Sequence, residues 1–151
     1  MRRYYSYKEY LIDCQKLIGQ IDWEFDAIIS IARGGLTLSH MFGEYYNIRK
    51  VYAVNTIGYE DAHKLERVEI FNMPELKDAT RVLIVDDIVD SGDTMRIVFD
   101  ELAKKYPKCE FRSAVLFYKT SASIKPDWYA QLAEEWIDFF WSDDLRREKR
   151  D

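Results

Sequence analysis

Apolar positions along the chain follow two alternating patterns. Apolar runs of strand length occur at Ala27–Ala32 and Val82–Val85, with further strand candidates at Val51–Ile57 and Phe111–Tyr118. An unbroken apolar run is what a strand shows when helices cover both faces of its sheet. Between the runs, apolar residues recur at offsets of three and four. The first such series is Tyr10, Leu11, Cys14, Leu17, Ile18 and Ile21, preceded by a capping residue at Ser6. Leu38, Met41, Phe42, Tyr45 and Tyr46 form a second, and Met95, Val98, Phe99, Leu102 and Tyr106 a third that Pro107 ends. These are amphipathic helices. Strands alternating with helices predict an α/β fold, a mainly parallel sheet flanked by helices and joined by right-handed crossovers.

The polar residues at the ends of the runs carry the candidate chemistry. Val82–Val85 stops at Asp86 and Asp87; after Ile88 and Val89 come Asp90, Ser91, Gly92, Asp93 and Thr94, small or turn-forming residues ahead of a helix. A helix N-terminus presents unpaired N–H groups and a partial positive charge, and a glycine lets backbone amides approach a phosphate. The loop therefore reads as a phosphate cradle. It lacks the lysine of a P-loop, and the acids upstream suit ribose hydroxyls or a hydrated magnesium ion, so the combination points to a ribose phosphate. Ala27–Ala32 ends in Arg33, Gly34 and Gly35, where backbone amides and a guanidinium can converge on one anion. Taken alone, that tripeptide is more often a plain turn. The polar Gly58–Pro74 segment carries Glu60, Asp61, Lys64, Glu66 and Arg67 and alternates over Arg67–Phe71. Both an exposed two-stranded excursion and a mobile lid of ~15 residues fit it. Lys119 ends a strand, where a side chain can point into the ligand crevice of an open sheet or simply be solvated. Glu134–Trp141, EEWIDFFW, is aromatic enough for core or for a contact between subunits.

Residues Val82–Thr94 resemble the phosphoribosyl-pyrophosphate signature of the type I phosphoribosyltransferases. The resemblance extends over nearly the whole chain, is good at 32–35 and 136–138 and poor over 59–75, and is greatest to the small bacterial xanthine-guanine enzymes that act on 6-oxopurines. It implies one phosphoribosyltransferase domain over 1–151, with a flexible loop at about 58–74 and a small hood from about 120–151. By the same resemblance, phosphoribosyl pyrophosphate is held by Arg33, Gly34, Asp86, Asp87, Asp90, Ser91, Gly92, Asp93 and Thr94. Asp87 is the implied magnesium ligand, and Asp86 holds a ribose hydroxyl. Arg33 meets the pyrophosphate, in a loop where the family often has a non-proline cis peptide, expected here at Ala32–Arg33. Asp90 lies near purine N7, Lys119 donates to O6, and Trp136 stacks on the base. Backbone carbonyls near Ile137 and Asp138 read its exocyclic edge. Gly58-Tyr59 stands where many relatives have Ser-Tyr, which leaves open what the loop contributes, although Tyr59 could still lie over the site. The implied reaction is Mg2+-dependent transfer of the 5-phosphoribosyl group to guanine, xanthine or hypoxanthine, releasing pyrophosphate, in a homodimer or homotetramer. A non-catalytic binder of phosphoribosyl pyrophosphate or nucleotide remains an alternative, as does transfer to another base. Lys119 argues against adenine, because a donor faces an amino group poorly.

Composition narrows the partners. With 151 residues and 48% hydrophobic content the chain has the size of one domain with a real core. A net charge of −5 and a pI of about 5.2 exclude general attraction to nucleic acid or an anionic membrane, so an anionic substrate must be met locally. Cys14 and Cys109 have no metal-like spacing, and His40 and His63 are isolated. No apolar run approaches the ~20 residues of a membrane span. The expectation is a cytoplasmic protein.

Overall fold

The computed structural model describes residues 1–60 and 66–150. Eight strands and four helices follow in the order β1 (Arg2–Tyr5), α1 (Tyr7–Gln20), β2 (Ala27–Ala32), α2 (Leu36–Tyr46), β3 (Val51–Glu60), β4 (Glu66–Phe71), β5 (Arg81–Val89), α3 (Asp93–Lys105), β6 (Glu110–Tyr118), β7 (Trp128–Leu132), β8 (Trp136–Phe139) and α4 (Phe140–Arg150). Six strands form one sheet in the order β4-β3-β2-β5-β6-β7, parallel throughout except for the antiparallel β3–β4 hairpin. β1 and β8 pair in parallel as a separate two-stranded sheet, with Arg2 opposite Trp136 and Tyr5 opposite Phe139.

The continuous apolar runs are explained by two cores, one on each face of the six-stranded sheet. Ile28, Leu83, Val85, Ala114 and Phe117 pack with Tyr10, Cys14 and Leu17 of α1 and with Leu38 and Phe42 of α2. Ala27, Ile29, Ile31, Val82, Ile84 and Val115 pack with Met95, Val98 and Leu102 of α3. Successive strand residues point to opposite faces, so a strand buried on both needs an apolar side chain at nearly every position. α1 begins with a capping box: the Glu9 N–H donates to Ser6 Oγ at 3.1 Å and the Ser6 N–H donates to the Glu9 carboxylate at 2.9 Å.

Several boundaries differ from the sequence reading. β5 does not stop at Val85 but runs through Asp86 and Asp87 to Val89, because β6 continues alongside it, with Asp86 opposite Val115 and Val89 opposite Tyr118. β3 extends to Glu60 and pairs with β4, Gly58 opposite Val68, so the alternating segment is a two-stranded excursion where it is described. Asp61 and Lys64 of that segment, and the side chain of Tyr59, lie outside the described residues. Strands β1, β7 and β8 and helix α4 were not evident in the pattern. β1 and β8 are four residues each, and α4 reads FWSDDLRREKR, with almost no apolar stripe beyond its first turn.

Candidate active site

The loops that follow β2, β5 and β6 converge at the C-terminal ends of these parallel strands. The Ala32–Arg33 peptide bond is cis, at the position expected from the resemblance. The two glycines after it are required by close approach. A Cβ on Gly34 would lie 2.5 Å from the Asp87 carboxylate, and one on Gly35 would run into the Val85 carbonyl. The loop after β2 is thus pressed against the acidic end of β5, and only a backbone without side chains fits there.

Asp86 is buried, and its Oδ1 accepts a hydrogen bond from the Asp87 N–H at 2.8 Å. Burial, followed by the neighbouring Asp87 charge, pushes the Asp86 carboxyl well above its ordinary range, and burial also raises Asp87. Among the described residues no cation pairs with either carboxylate. Beyond them, Ser91 Oγ accepts from the Asp93 N–H at 3.2 Å, and the Ser91 carbonyl accepts from the Ser123 N–H at 2.7 Å. Gly92 has φ +89°, and a Cβ on it would meet Ser123 Oγ at 2.8 Å. α3 starts immediately after it, so its first-turn N–H groups open toward the loop.

Two cavities adjoin here. The smaller, about 370 Å³, is lined by Ala32, Gly34, Asp86, Ser91, Gly92 and Thr94 among others. The larger, about 880 Å³, holds Lys119, Trp136, Ile137 and Asp138. Asp87, Ile88 and Asp90 line both. The phosphate-type loop and the aromatic pocket are therefore contiguous, as a sugar phosphate joined to a flat base would need. Lys119 Nζ lies 3.4 Å from Asp90 Oδ1, and the Lys119 N–H donates to the Val89 carbonyl at 3.0 Å. Trp136 is 63% exposed, its ring open to the larger cavity, whereas Ile137 is buried. Two predicted residues stand apart. Arg33 is exposed and lines neither cavity, and Asp93 points along α3 to Arg96 at 3.3 Å.

The comparisons with known proteins agree with this geometry. The family described as "Phosphoribosyl transferase domain" matches residues 3–145. The chain belongs to the phosphoribosyltransferase family. It is similar to the xanthine-guanine phosphoribosyltransferase of Idiomarina loihiensis, 30% identical over 121 residues that cover 78% of this chain and 71% of that one. It is also similar to the solved Helicobacter pylori xanthine-guanine-hypoxanthine phosphoribosyltransferase, with 39% identity, full coverage of both chains and a TM-score of 0.92. A purine phosphoribosyltransferase from Pyrococcus horikoshii is 31% identical over 94% of each chain, with a TM-score of 0.77.

This phosphoribosyltransferase brings to its larger cavity residues that sequence reasoning missed. Arg2 forks onto Asp138, its Nη2 2.8 Å from Oδ1 and its Nε 3.0 Å from Oδ2, and its guanidinium lies 5.7 Å from the Trp136 ring centroid. The Trp136 Nε1–H donates to the same Asp138 Oδ1 at 3.2 Å. These Arg2 hydrogen bonds lower the Asp138 pKa. Glu134 and Glu135 line the cavity too. RRYY does not alternate and is only four residues long, so no strand pattern pointed to Arg2.

Proposed function

We propose that this phosphoribosyltransferase serves purine salvage, transferring the 5-phosphoribosyl group of phosphoribosyl pyrophosphate to guanine, xanthine or hypoxanthine and releasing pyrophosphate. The observation that carries the reading is the shared wall: Asp87 and Asp90 border both the cradle after β5 and the cavity of Lys119 and Trp136. The named relatives support the choice of base.

In this reading the 5′-phosphate sits on the Ser91–Thr94 loop, held by backbone N–H groups and the first turn of α3. Binding of that remote group aligns the reacting sugar carbon. The purine lies on Trp136, with O6 toward Lys119 and N7 toward Asp90. Their ion pair at 3.4 Å keeps donor and acceptor together before the base arrives. As N9 attacks, Asp90 holds the N7 proton, and Arg33, drawn in from solvent, meets the departing pyrophosphate. Asp86 and Asp87 fit magnesium. They are adjacent hard oxygen donors raised by burial, and no group of three or more such side chains able to enclose a metal exists among the described residues. Magnesium typically takes one or two carboxylates and fills its other positions with water and phosphate oxygens. Held by Asp87, with Asp86 on a ribose hydroxyl, it would supply charge neutralisation at the pyrophosphate. A cytoplasmic dimer or tetramer completes the proposal. Among the described residues no helix is long and apolar enough to cross a membrane.

The test is pyrophosphate release from phosphoribosyl pyrophosphate with magnesium, in separate reactions with guanine, xanthine, hypoxanthine, adenine and uracil. Release with the three oxopurines and not with adenine or uracil is expected. Binding of phosphoribosyl pyrophosphate with no release for any base would replace the enzyme by a regulatory binder.

A further inference from the structure

β1 has two faces with different work. Tyr5 is fully buried against Phe117 and Phe139, and Arg3 lies 5.6 Å over the Phe117 ring, so these two residues fasten the strand to the core. Arg2 and Tyr4 face the other way. Tyr4 donates to Asp144 at 2.6 Å, and Arg2 lines the larger cavity and reaches Asp138. Both oxygens of the Asp138 carboxylate are thereby engaged: Oδ2 accepts from Arg2 Nε, and Oδ1 accepts from both Arg2 Nη2 and Trp136 Nε1. A bidentate guanidinium fork is the strongest neutralising partner a carboxylate can have among side chains.

That neutralisation has a consequence for the base, which rests on the purine reading given above. The 6-oxopurines differ at C2. Guanine carries an amino donor there, hypoxanthine only hydrogen, and xanthine a carbonyl, which also makes xanthine the most acidic of the three. A free carboxylate is an acceptor only, so it attracts the guanine amino group and repels the xanthine oxygen. In the same cavity Asp90 is paired with Lys119 and Asp143 with Arg147, while Asp87, Glu134 and Glu135 add negative charge, so an unneutralised Asp138 would deepen that acidity.

We propose that Arg2 is a specificity-setting, positioning residue: by occupying both oxygens of Asp138 it silences that carboxylate toward the C2 edge and so lets the pocket take xanthine alongside guanine. It acts through Asp138 and Trp136. Its own side chain is 70% exposed, so its removal leaves the two cores intact.

The experiment compares KM and kcat for guanine, xanthine and hypoxanthine in the wild type, Arg2→Met, Arg2→Lys and the double variant Arg2→Met/Asp138→Asn, with phosphoribosyl pyrophosphate saturating. In Arg2→Met the xanthine-to-guanine ratio of KM rises by about tenfold or more, the scale of an unmatched polar contact with a charged group. Hypoxanthine moves less than xanthine. Arg2→Lys restores part of the wild-type ratio, and the double variant returns it to within about threefold of the wild type, because a neutral amide offers a donor as well as an acceptor. A general loosening of the fold would instead shift all three bases together. An unchanged ratio in Arg2→Met, or a double variant that keeps the altered ratio, overturns the inference while leaving the purine reading standing. So does a wild-type enzyme that accepts guanine and refuses xanthine. A wild type that uses no oxopurine overturns the purine reading itself, and this inference with it. Should Arg2→Met fail to fold, Arg2→Lys with Asp138→Asn in the same assay carries the same comparison.

Discussion

At the scale of single residues, the site sets charge against burial. Asp86 is buried with a carboxyl pushed well above its ordinary range, which means that its charged form destabilises the free protein at neutral pH. Asp86→Asn keeps an oxygen to accept the Asp87 N–H and removes the charge. The expected outcome in the absence of metal and substrate is a protein more stable by about 1–3 kcal/mol, read as a higher urea midpoint, together with loss of turnover. A destabilised variant would show that burial does not strain this carboxylate. Asp90 is exposed and, among the described residues, paired only with Lys119. Asp90→Asn should lower kcat about 100-fold or more, the usual reach of a positioned proton acceptor, while calorimetry finds phosphoribosyl pyrophosphate binding changed little. Equal losses in kcat and binding would assign Asp90 to holding the sugar phosphate. Gly34→Ala would put a methyl group 2.5 Å from the Asp87 carboxylate, so one of the two loops must move. Turnover should fall about 100-fold with the melting temperature changed by only a few degrees, the behaviour of misplaced catalytic groups on an intact core.

At the scale of elements, the helices α1 to α3 and the four central strands could be read directly, because each buries apolar side chains in a regular period. The Val82–Thr94 stretch stood out equally, because acids, a glycine and a threonine at the end of an apolar run are not what packing alone would select, although β5 proved to run on through Asp86 and Asp87. β1, β7, β8 and α4 were not. Each is short, or has its apolar residues mixed with charges, and is held by partners far along the chain, as Arg2 is by Asp138 and as Arg3 is by Gln131. The joints between elements also rest on polar contacts that no periodicity reveals. Asp26, just before β2, accepts from the Thr80 N–H and hydroxyl and from the Arg81 N–H, tying the start of β2 to the start of β5. Partial burial alone would raise the Asp26 carboxyl, but these donors outweigh it and leave the pKa lowered. A lowered folded-state pKa gives stability that is present above the unfolded value near 3.9 and lost as pH falls through the folded one. Asp26→Ala should therefore cost about 0.5–1 kcal/mol at pH 7, a modest figure because the site is exposed, and the difference from wild type should shrink in melts below pH 3.5. A gap that persists in acid would place the effect in backbone entropy instead.

At the scale of the whole molecule, the larger cavity is walled by residues from both ends of the described chain. Tyr5 fills the space between Phe117 and Phe139, and its hydroxyl donates to the buried Asp13, which also accepts from Gln131 Nε2 at 2.7 Å. Tyr5→Ala removes a buried ring and one of the two donors to Asp13. The expected cost is about 3–5 kcal/mol by urea denaturation, with purine KM rising more than that of phosphoribosyl pyrophosphate, since β8 carries Trp136 and the cradle after β5 lies elsewhere. Cys14, in the same core, has its thiol pushed up to about 11 by burial. It should stay unlabelled by thiol reagents in the native protein and react on unfolding.

The pairing of Arg2 with Trp136 also sets an order of assembly. A ribosome makes β1 before β8, so β1 has no strand partner until well over a hundred residues have followed it. The loops after β2 and β5, with α3 behind them, are all synthesised before that moment. The segments proposed to grip a sugar phosphate are thus made before the wall proposed for the base, and the pairing of β1 with β8 is what completes that wall.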